Sequence, residues 1–361
     1  MRLRFFAGSL TLAFLLFSGT AFSQTFNALF DGYYAWNLNK PANQITPARS
    51  FDFRHQQFAL NYGELSIEQK PTTIGYRFDF GFGDTATVVG AAEPRLGTFY
   101  THVQQAYVSG KKGDLQVDFG KFVTPLGAEV IETKDNLNYS RGLLFTYAIP
   151  LYHFGVRATY ASSEKTTLAA YVVNGWNNVQ DNNTAKSIGF MALLKPTDKL
   201  TLTENYLMGN ENTDAGFKTN RRHTFDSIAS YEISKNFTEV ANYDYLFDMN
   251  PTAQKRRMQG IALYTKISPN GQDTGLKIIP RYEWLKDDSG QFTGLPQTIQ
   301  EATITIQSVS KEMGTFWAEY RRDWTNQQGM FVLDQPQGPR PRLNQDTILF
   351  GYTVSFTKDF K

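Results

Sequence analysis

The chain has 361 residues, of which 41% are hydrophobic, 19% charged and 15% aromatic. A mean hydropathy of −0.40 excludes a bundle of membrane-spanning helices, because each such helix needs a run of about 18 or more apolar residues. Cysteine is absent, which excludes disulfide bonds, thiolate nucleophiles and cysteine-ligated metal sites. Many aromatic residues without long apolar runs indicate surfaces built by alternation of apolar and polar residues.

The first segment has the three parts of a secretory signal peptide. Two arginines near the start are followed by an apolar run at 5–17, and small residues stand at positions 21 and 23. We therefore expect residues 1–23 to be a signal peptide and the mature chain to begin at Gln24. Without those two arginines, basic and acidic residues are equal in number, a balance that does not favour a nucleic-acid partner.

A two-residue period recurs from Gln24 onward. Ile74 and Phe78, for example, lie on one face of a predicted strand, whereas Arg77 and Asp79 lie on the other. This alternation is typical of half-apolar strands about ten residues long, and no convincing helix pattern accompanies it. We predict sixteen strands near 26–38, 55–68, 73–83, 99–109, 114–122, 151–161, 166–175, 186–195, 199–209, 221–233, 236–247, 256–267, 274–285, 297–309, 314–325 and 346–357.

The predicted connections alternate between short and long. The short ones lie at 70–72, 110–113, 162–165, 196–198, 234–235, 268–273 and 310–313. The long ones lie at 39–54, 84–98, 123–150, 176–185, 210–220, 248–255, 286–296 and 326–345. This pattern predicts an all-β fold over residues 24–361, a transmembrane antiparallel β-barrel with short periplasmic turns and long extracellular loops. Closure is required because hydrocarbon offers unpaired backbone groups no partner.

Charged residues at alternate strand positions are predicted to face a water-filled lumen. An arginine that faced lipid at mid-depth would cost roughly 2–4 kcal/mol. Opposite charges two residues apart could set a transverse field across a pore, or they could simply form a solvated wall. The candidate lumen-facing residues are Asp31, Arg77, Asp79, Asp118, Arg157, Arg281, Glu283, Glu319, Arg321 and Asp323. Tyrosine and tryptophan near strand ends are expected at headgroup level, with Tyr34, Trp36, Tyr152, Tyr160, Trp284, Trp324 and Tyr352 as candidates.

The longest connection, 123–150, is a candidate constriction loop. Its apolar end, from Leu143 to Pro150, could pack against the inner wall of the barrel and leave charged side chains near the pore axis. Fixed charges at a narrow point should dominate ion selectivity. The alternative is an extracellular cap. The candidate residues in this loop are Glu129, Glu132, Lys134, Asp135 and Arg141.

Motifs for chemistry are missing. The sequence contains no nucleophile elbow, P-loop or dinucleotide-binding motif, so we predict no catalytic residues, no enzymatic activity and no cofactor. Its four histidines are scattered, and the asparagine-rich connection 176–185 is better explained by turns than by calcium binding. No metal site is therefore predicted.

Four stretches carry a family resemblance: 105–108 (QAYV), 120–129 (GKFVTPLGAE), 136–141 (NLNYSR) and 173–177 (VNGWN). In this order they resemble the OmpL-like β-barrel porin-2 family of Gram-negative bacteria. The resemblance implies a porin in outer-membrane lipid that lets small hydrophilic solutes or ions diffuse passively. One departure is that Phe360 is penultimate, although such barrels often end on an aromatic residue.

Two other functions and one assembly state are compatible with these patterns. The barrel could act as a surface adhesin or receptor that displays its loops, or the chain could be a secreted, β-rich glycan-binding protein. Sixteen-stranded general porins are often trimers, and this analogy suggests a homo-trimer.

Overall fold

The computed structural model describes residues 23–91, 93, 98–181, 183–211, 221–249, 256–335 and 338–360. Except for Ser23, the predicted signal peptide lies outside these residues. The described chain forms eighteen strands. They are β1 (Gln24–Asn37), β2 (Phe58–Gln69), β3 (Ile74–Phe82), β4 (Val103–Lys112), β5 (Leu115–Val123), β6 (Tyr152–Ser163), β7 (Thr166–Val173), β8 (Ser187–Thr197), β9 (Leu200–Asn210), β10 (Arg221–Ser234), β11 (Phe237–Met249), β12 (Arg256–Ile267), β13 (Gly275–Asp287), β14 (Gln297–Ser310), β15 (Gly314–Thr325), β16 (Phe331–Leu333), β17 (Arg340–Arg342) and β18 (Asn344–Phe360).

Sixteen of these strands close into one antiparallel barrel, and only β16 and β17 stand apart as a small hairpin. Each strand pairs with its neighbours in the chain, and β1 closes the barrel against β18 with Gln24 opposite Phe360. The start of β1 and the end of β18 therefore lie at the rim of the barrel that carries the short turns. The predicted all-β, sixteen-stranded transmembrane barrel is confirmed, with Phe360 inside the closing strand.

The outer face of the barrel is apolar. Phe78, Phe119, Phe190 and Phe350 are all exposed, and their neighbours along each strand point inward. A continuous exposed band of this kind is incompatible with a secreted, water-soluble protein, because soluble monomers rarely expose large apolar patches. Tyr152 differs from the prediction: it is buried, and its hydroxyl donates to Glu93 at 2.7 Å instead of reaching the headgroups.

Three short helices interrupt the long connections: α1 (Asp84–Gly90), α2 (Thr98–His102) and α3 (Leu143–Tyr147). The expectation of no helix was wrong because helices of one or two turns carry too little periodicity to be read, and packing stabilises them. The predicted fourth strand also begins late, since residues 98–102 form α2. The pairing of β3 with β4 ends at Phe80 opposite Val103, and β3 itself ends at Phe82. Residues 98–102 therefore lack a neighbouring strand and satisfy their backbone hydrogen bonds within a helical turn. None of the described helices is long and apolar enough to cross a membrane.

Candidate functional site

The connection between β5 and β6, residues 124–151, lies inside the barrel; we call it the inner loop. It contacts inward-facing side chains on strands from β10 round to β1, and also on β9 and β2, so it crosses the lumen instead of capping it. The anchoring hydrogen bonds are Gly127 to Asp226 (3.1 Å), Ala128 to Asn242 (3.0 Å), Arg281 to Glu129 (2.8 Å), Asn138 to Thr305 (2.7 Å), Tyr139 to Glu319 (3.0 Å) and Thr133 to Asp31 (2.6 Å).

Arg141 folds the inner loop onto itself. Its guanidinium donates to the carbonyl oxygens of Val130 at 2.9 Å and Tyr139 at 2.5 Å, and to that of Ile131. It also donates to the Thr133 hydroxyl at 3.0 Å. The side chain is almost completely buried. Arg141 is therefore a clamp on the loop backbone, and it does not line the opening as the sequence led us to expect.

Glu129 ties the inner loop to the wall through a buried ion pair. Arg281 contacts Glu129 at 2.8 Å and Glu301 at 2.7 Å, and it also donates to the Ser140 carbonyl at 2.6 Å. The other oxygen of Glu129 accepts from the backbone N–H of Gly142 at 2.7 Å. Burial raises the pKa of the Glu129 carboxyl, while the Arg281 charge acts in the opposite direction. This buried cluster holds the loop on the wall, and Glu129 also borders a cavity beside the loop.

Other predicted lumen-facing acids also serve the inner loop. Glu319 accepts from the backbone N–H of Tyr139, and Asp31 accepts from the Tyr139 hydroxyl at 2.6 Å. Glu283 accepts from the N–H groups of Leu143 and Leu144 at the start of α3. These acids face inward as predicted, but they are buried against the loop. The sequence did not distinguish a wetted wall from a wall that anchors a loop.

The apolar end of the inner loop packs on the wall and on a second loop. Helix α3 contacts β12, β13 and β14, and Phe145 lies 5.5 Å from Phe51, ring centre to ring centre. Phe51 belongs to the connection 38–57, which also enters the barrel. There Arg49 pairs with Asp323 at 2.8 Å, while Arg321 bonds the other oxygen of Asp323 at 2.8 Å. No sequence signal marked Arg49 or Phe51, because both lie in a connection without periodicity.

An opening remains on the side of the barrel that the inner loop does not fill. It is a cavity of about 370 Å³ between the loop and the inner faces of β3, β4 and β6. Arg77 and Arg157 line its wall and keep 27% and 21% of their side chains exposed. Asp79 and Asp118 support them from behind at 2.9 and 2.8 Å. All four were predicted to face the lumen.

The loop side of the cavity is acidic. Glu132 and Asp135 line it opposite the two arginines, and Glu132 interacts electrostatically with Arg77. Lys134 and Asp135 are exposed and pair with each other. Among the described residues, Glu132 takes part in no ion pair. Sequence reasoning missed Tyr107, which lies between the arginines and whose ring centre is 5.9 Å from the Arg157 guanidinium; its only signal was its place in a family-like stretch.

The described residues contain no cluster of three or more histidine, aspartate or glutamate side chains that could hold a metal ion. The four histidines lie on separate elements of the fold. His55 accepts from the backbone N–H of Asn37 at 2.9 Å, and burial lowers the pKa of this imidazole.

Comparison with known proteins places the barrel among outer-membrane channels. The family model described as "Putative beta-barrel porin-2, OmpL-like" matches residues 23–356. No curated protein sequence matches the chain. Many solved structures are similar, and three of them are as follows. The anion-selective porin from Comamonas acidovorans has a TM-score of 0.63 at 10% identity, with 92% of this chain and 100% of that chain covered. The trimer form of OmpT from Vibrio cholerae has a TM-score of 0.60 at 12% identity, covering 92% and 99%. Salmonella typhi OmpF in complex with daunomycin has a TM-score of 0.59 at 13% identity, covering 92% and 98%.

Proposed function

Because the chain belongs to the OmpL-like β-barrel porin-2 family and is an outer-membrane porin, we propose that small hydrophilic solutes pass it between the inner loop and the wall formed by β3, β4 and β6. One observation carries this proposal. The inner loop is anchored from β10 round to β1, and its acidic edge stops short of Arg77 and Arg157 across a cavity of about 370 Å³. We assign the protein no enzymatic step, since passage through this opening makes and breaks no bond.

The charges around the opening favour cations weakly. Arg77 is neutralised by Asp79, Arg157 by Asp118, and Lys134 pairs with its neighbour in the inner loop. Glu132 is the acid at the opening without an ion-pair partner among the described residues. A single fixed negative charge in a narrow, partly desolvated passage raises the local concentration of cations. Basic and acidic sides that face each other also set a field across the passage.

Single-channel recording with the refolded protein in planar bilayers tests this function. In a potassium chloride gradient, we expect the reversal potential of the wild type to indicate a modest preference for potassium. Glu132→Lys should shift the reversal potential toward chloride while the barrel stays assembled. Glu312→Gln is the matched control, because this acid is exposed in the turn between β14 and β15 and should change nothing. A wild type that assembles but does not conduct would contradict the proposal and favour a barrel that only displays its loops.

Assembly and export complete the proposal. The trimer form of OmpT and the apolar outer face of the present barrel support a homo-trimer in outer-membrane lipid. The basic start and apolar run of residues 1–17 support export through a signal peptide that is removed after Ser23. Cross-linking of the protein in native membranes and the N-terminal sequence of the mature chain test these two points.

A further inference from the structure

Two carboxyl groups meet on the inner wall, away from the opening. Asp226 on β10 stands directly opposite Asp244 on β11 in the strand register. Both side chains are completely buried. The loop segment around Gly127 covers them, since the Gly127 N–H donates to Asp226 at 3.1 Å. Two acids that face each other without water repel strongly if both are ionised.

No positive side chain compensates this pair. Among the described residues, neither Asp226 nor Asp244 takes part in an ion pair, whereas the buried wall acids Asp118, Asp248 and Glu301 each pair with an arginine. Asn205 and Asn242 each donate an amide hydrogen to Asp226 at 2.7 Å. Neither oxygen of Asp244 has a hydrogen-bond partner of good geometry.

Further oxygens around the pair are also unpartnered. The amide of Asn205 uses its nitrogen on Asp226 and leaves its oxygen without a donor. Thr224 lies two residues before Asp226 on the same face of β10, and its completely buried hydroxyl has no partner. Buried polar groups normally find a partner, so each exception requires an explanation. Here several exceptions lie on neighbouring strands beside the same carboxylate.

We propose that Asp226 and Asp244 bind one divalent cation of the calcium class between β10 and β11, with Asn205 and Thr224 as additional oxygen ligands. Calcium accepts six to eight oxygen ligands from carboxylates, amide oxygens and water. Its two positive charges match the two carboxylates. Only two of the proposed ligands are acids, so the site is not among clusters of three or more acidic or histidine side chains, none of which occurs in the described residues. Because Asp226 also holds the inner loop, the cation stabilises the wall on which that loop begins. This inference does not depend on the permeation pathway.

Equilibrium dialysis with radioactive calcium tests the site on the full barrel, refolded in detergent after treatment with a chelator. We expect saturable binding of one calcium ion per chain and a rise in thermal unfolding temperature when calcium is added. Asp244→Asn should abolish both effects. The matched control is Asp248→Asn on the same strand and face, because Asp248 is already paired with Arg222 at 2.9 Å and should not contribute to binding.

Three results would overturn the proposal. The first is wild-type protein that binds no calcium at millimolar concentration and neutral pH, a measurement that needs no variant. The second is calcium that shifts the unfolding temperature of neither the wild type nor an equally stable Asp244→Asn variant, since asparagine mimics a protonated aspartate and would show that the pair shares a proton instead. Equal loss of binding in Asp248→Asn would likewise show that calcium is held by the overall negative charge of the inner wall and not by this site.

Discussion

Removal of Arg281 should destabilise the barrel by several kcal/mol, because this side chain compensates two buried acids. It contacts Glu129 at 2.8 Å and Glu301 at 2.7 Å, and its side chain is fully buried. In Arg281→Met Glu129 loses its cation and Glu301 keeps only the more distant Arg321 at 3.4 Å, and breaking a buried pair costs about 3–5 kcal/mol. Burial already raises the pKa of Glu129, so without arginine the carboxyl would be driven further toward its protonated form.

The matched control for this variant is Arg322→Met. Arg322 follows Arg321 on β15, but its side chain points to the outer face of the barrel. Arg322 pairs with Asp346 at 3.4 Å, but nearly half of its side chain is exposed. Exposed pairs contribute only about 0–1 kcal/mol. The free energy of unfolding can be measured by urea titration of protein refolded into lipid vesicles, with the folded fraction read from heat-dependent electrophoretic mobility. Adding Glu301→Gln to Arg281→Met should restore part of the loss. Equal stabilities of the two arginine variants would refute the reasoning.

Three further predictions follow from the same structure. A cysteine at Gln291, in the connection after β13, should react with an impermeant reagent on whole cells, whereas one at Lys165 in a short turn should not; reaction at both would contradict the topology. Phe78→Arg should impair assembly by roughly 2–4 kcal/mol because the side chain faces lipid, whereas Asp79→Asn, which leaves that face intact, should not prevent membrane insertion, as fractionation can show. Arg141→Ala removes the clamp inside the inner loop and should raise single-channel conductance and its fluctuations; unchanged recordings would mean that the loop holds its shape without the clamp.

The sequence predicts the barrel well because the requirements of a membrane barrel apply within each strand and each connection. Lipid on one side and polar groups on the other require alternation along every strand, and the alternating connection lengths then determine topology and sidedness. The same local reasoning fails at strand ends. Tyr152 continues the apolar alternation of β6 but lies beside loops that fold inward, so it bonds Glu93 instead of reaching the membrane interface.

The arrangement inside the lumen depends on contacts between distant parts of the chain, which one sequence does not reveal. Glu129 and Glu132 are three residues apart in the same loop and both border the cavity, yet Glu129 is buried and paired with Arg281, whereas Glu132 has no ion pair among the described residues. The pair Asp226 and Asp244 becomes visible only when the register of β10 and β11 is known. The length and apolar end of the connection identified the loop as a candidate constriction, but closure of the barrel decides which of its charges meet the wall.

The central claim is that solutes pass between the inner loop and the wall that carries Arg77 and Arg157, and chemical block of single cysteines tests it most directly. The chain has no cysteine, so Glu132→Cys provides one defined target. During single-channel recording, a bulky water-soluble thiol reagent should lower the conductance of this variant in a discrete step. The same reagent should leave Phe78→Cys unchanged, because that position faces lipid. If Glu132→Cys is modified in full and its conductance does not change, the passage lies elsewhere and the account is wrong.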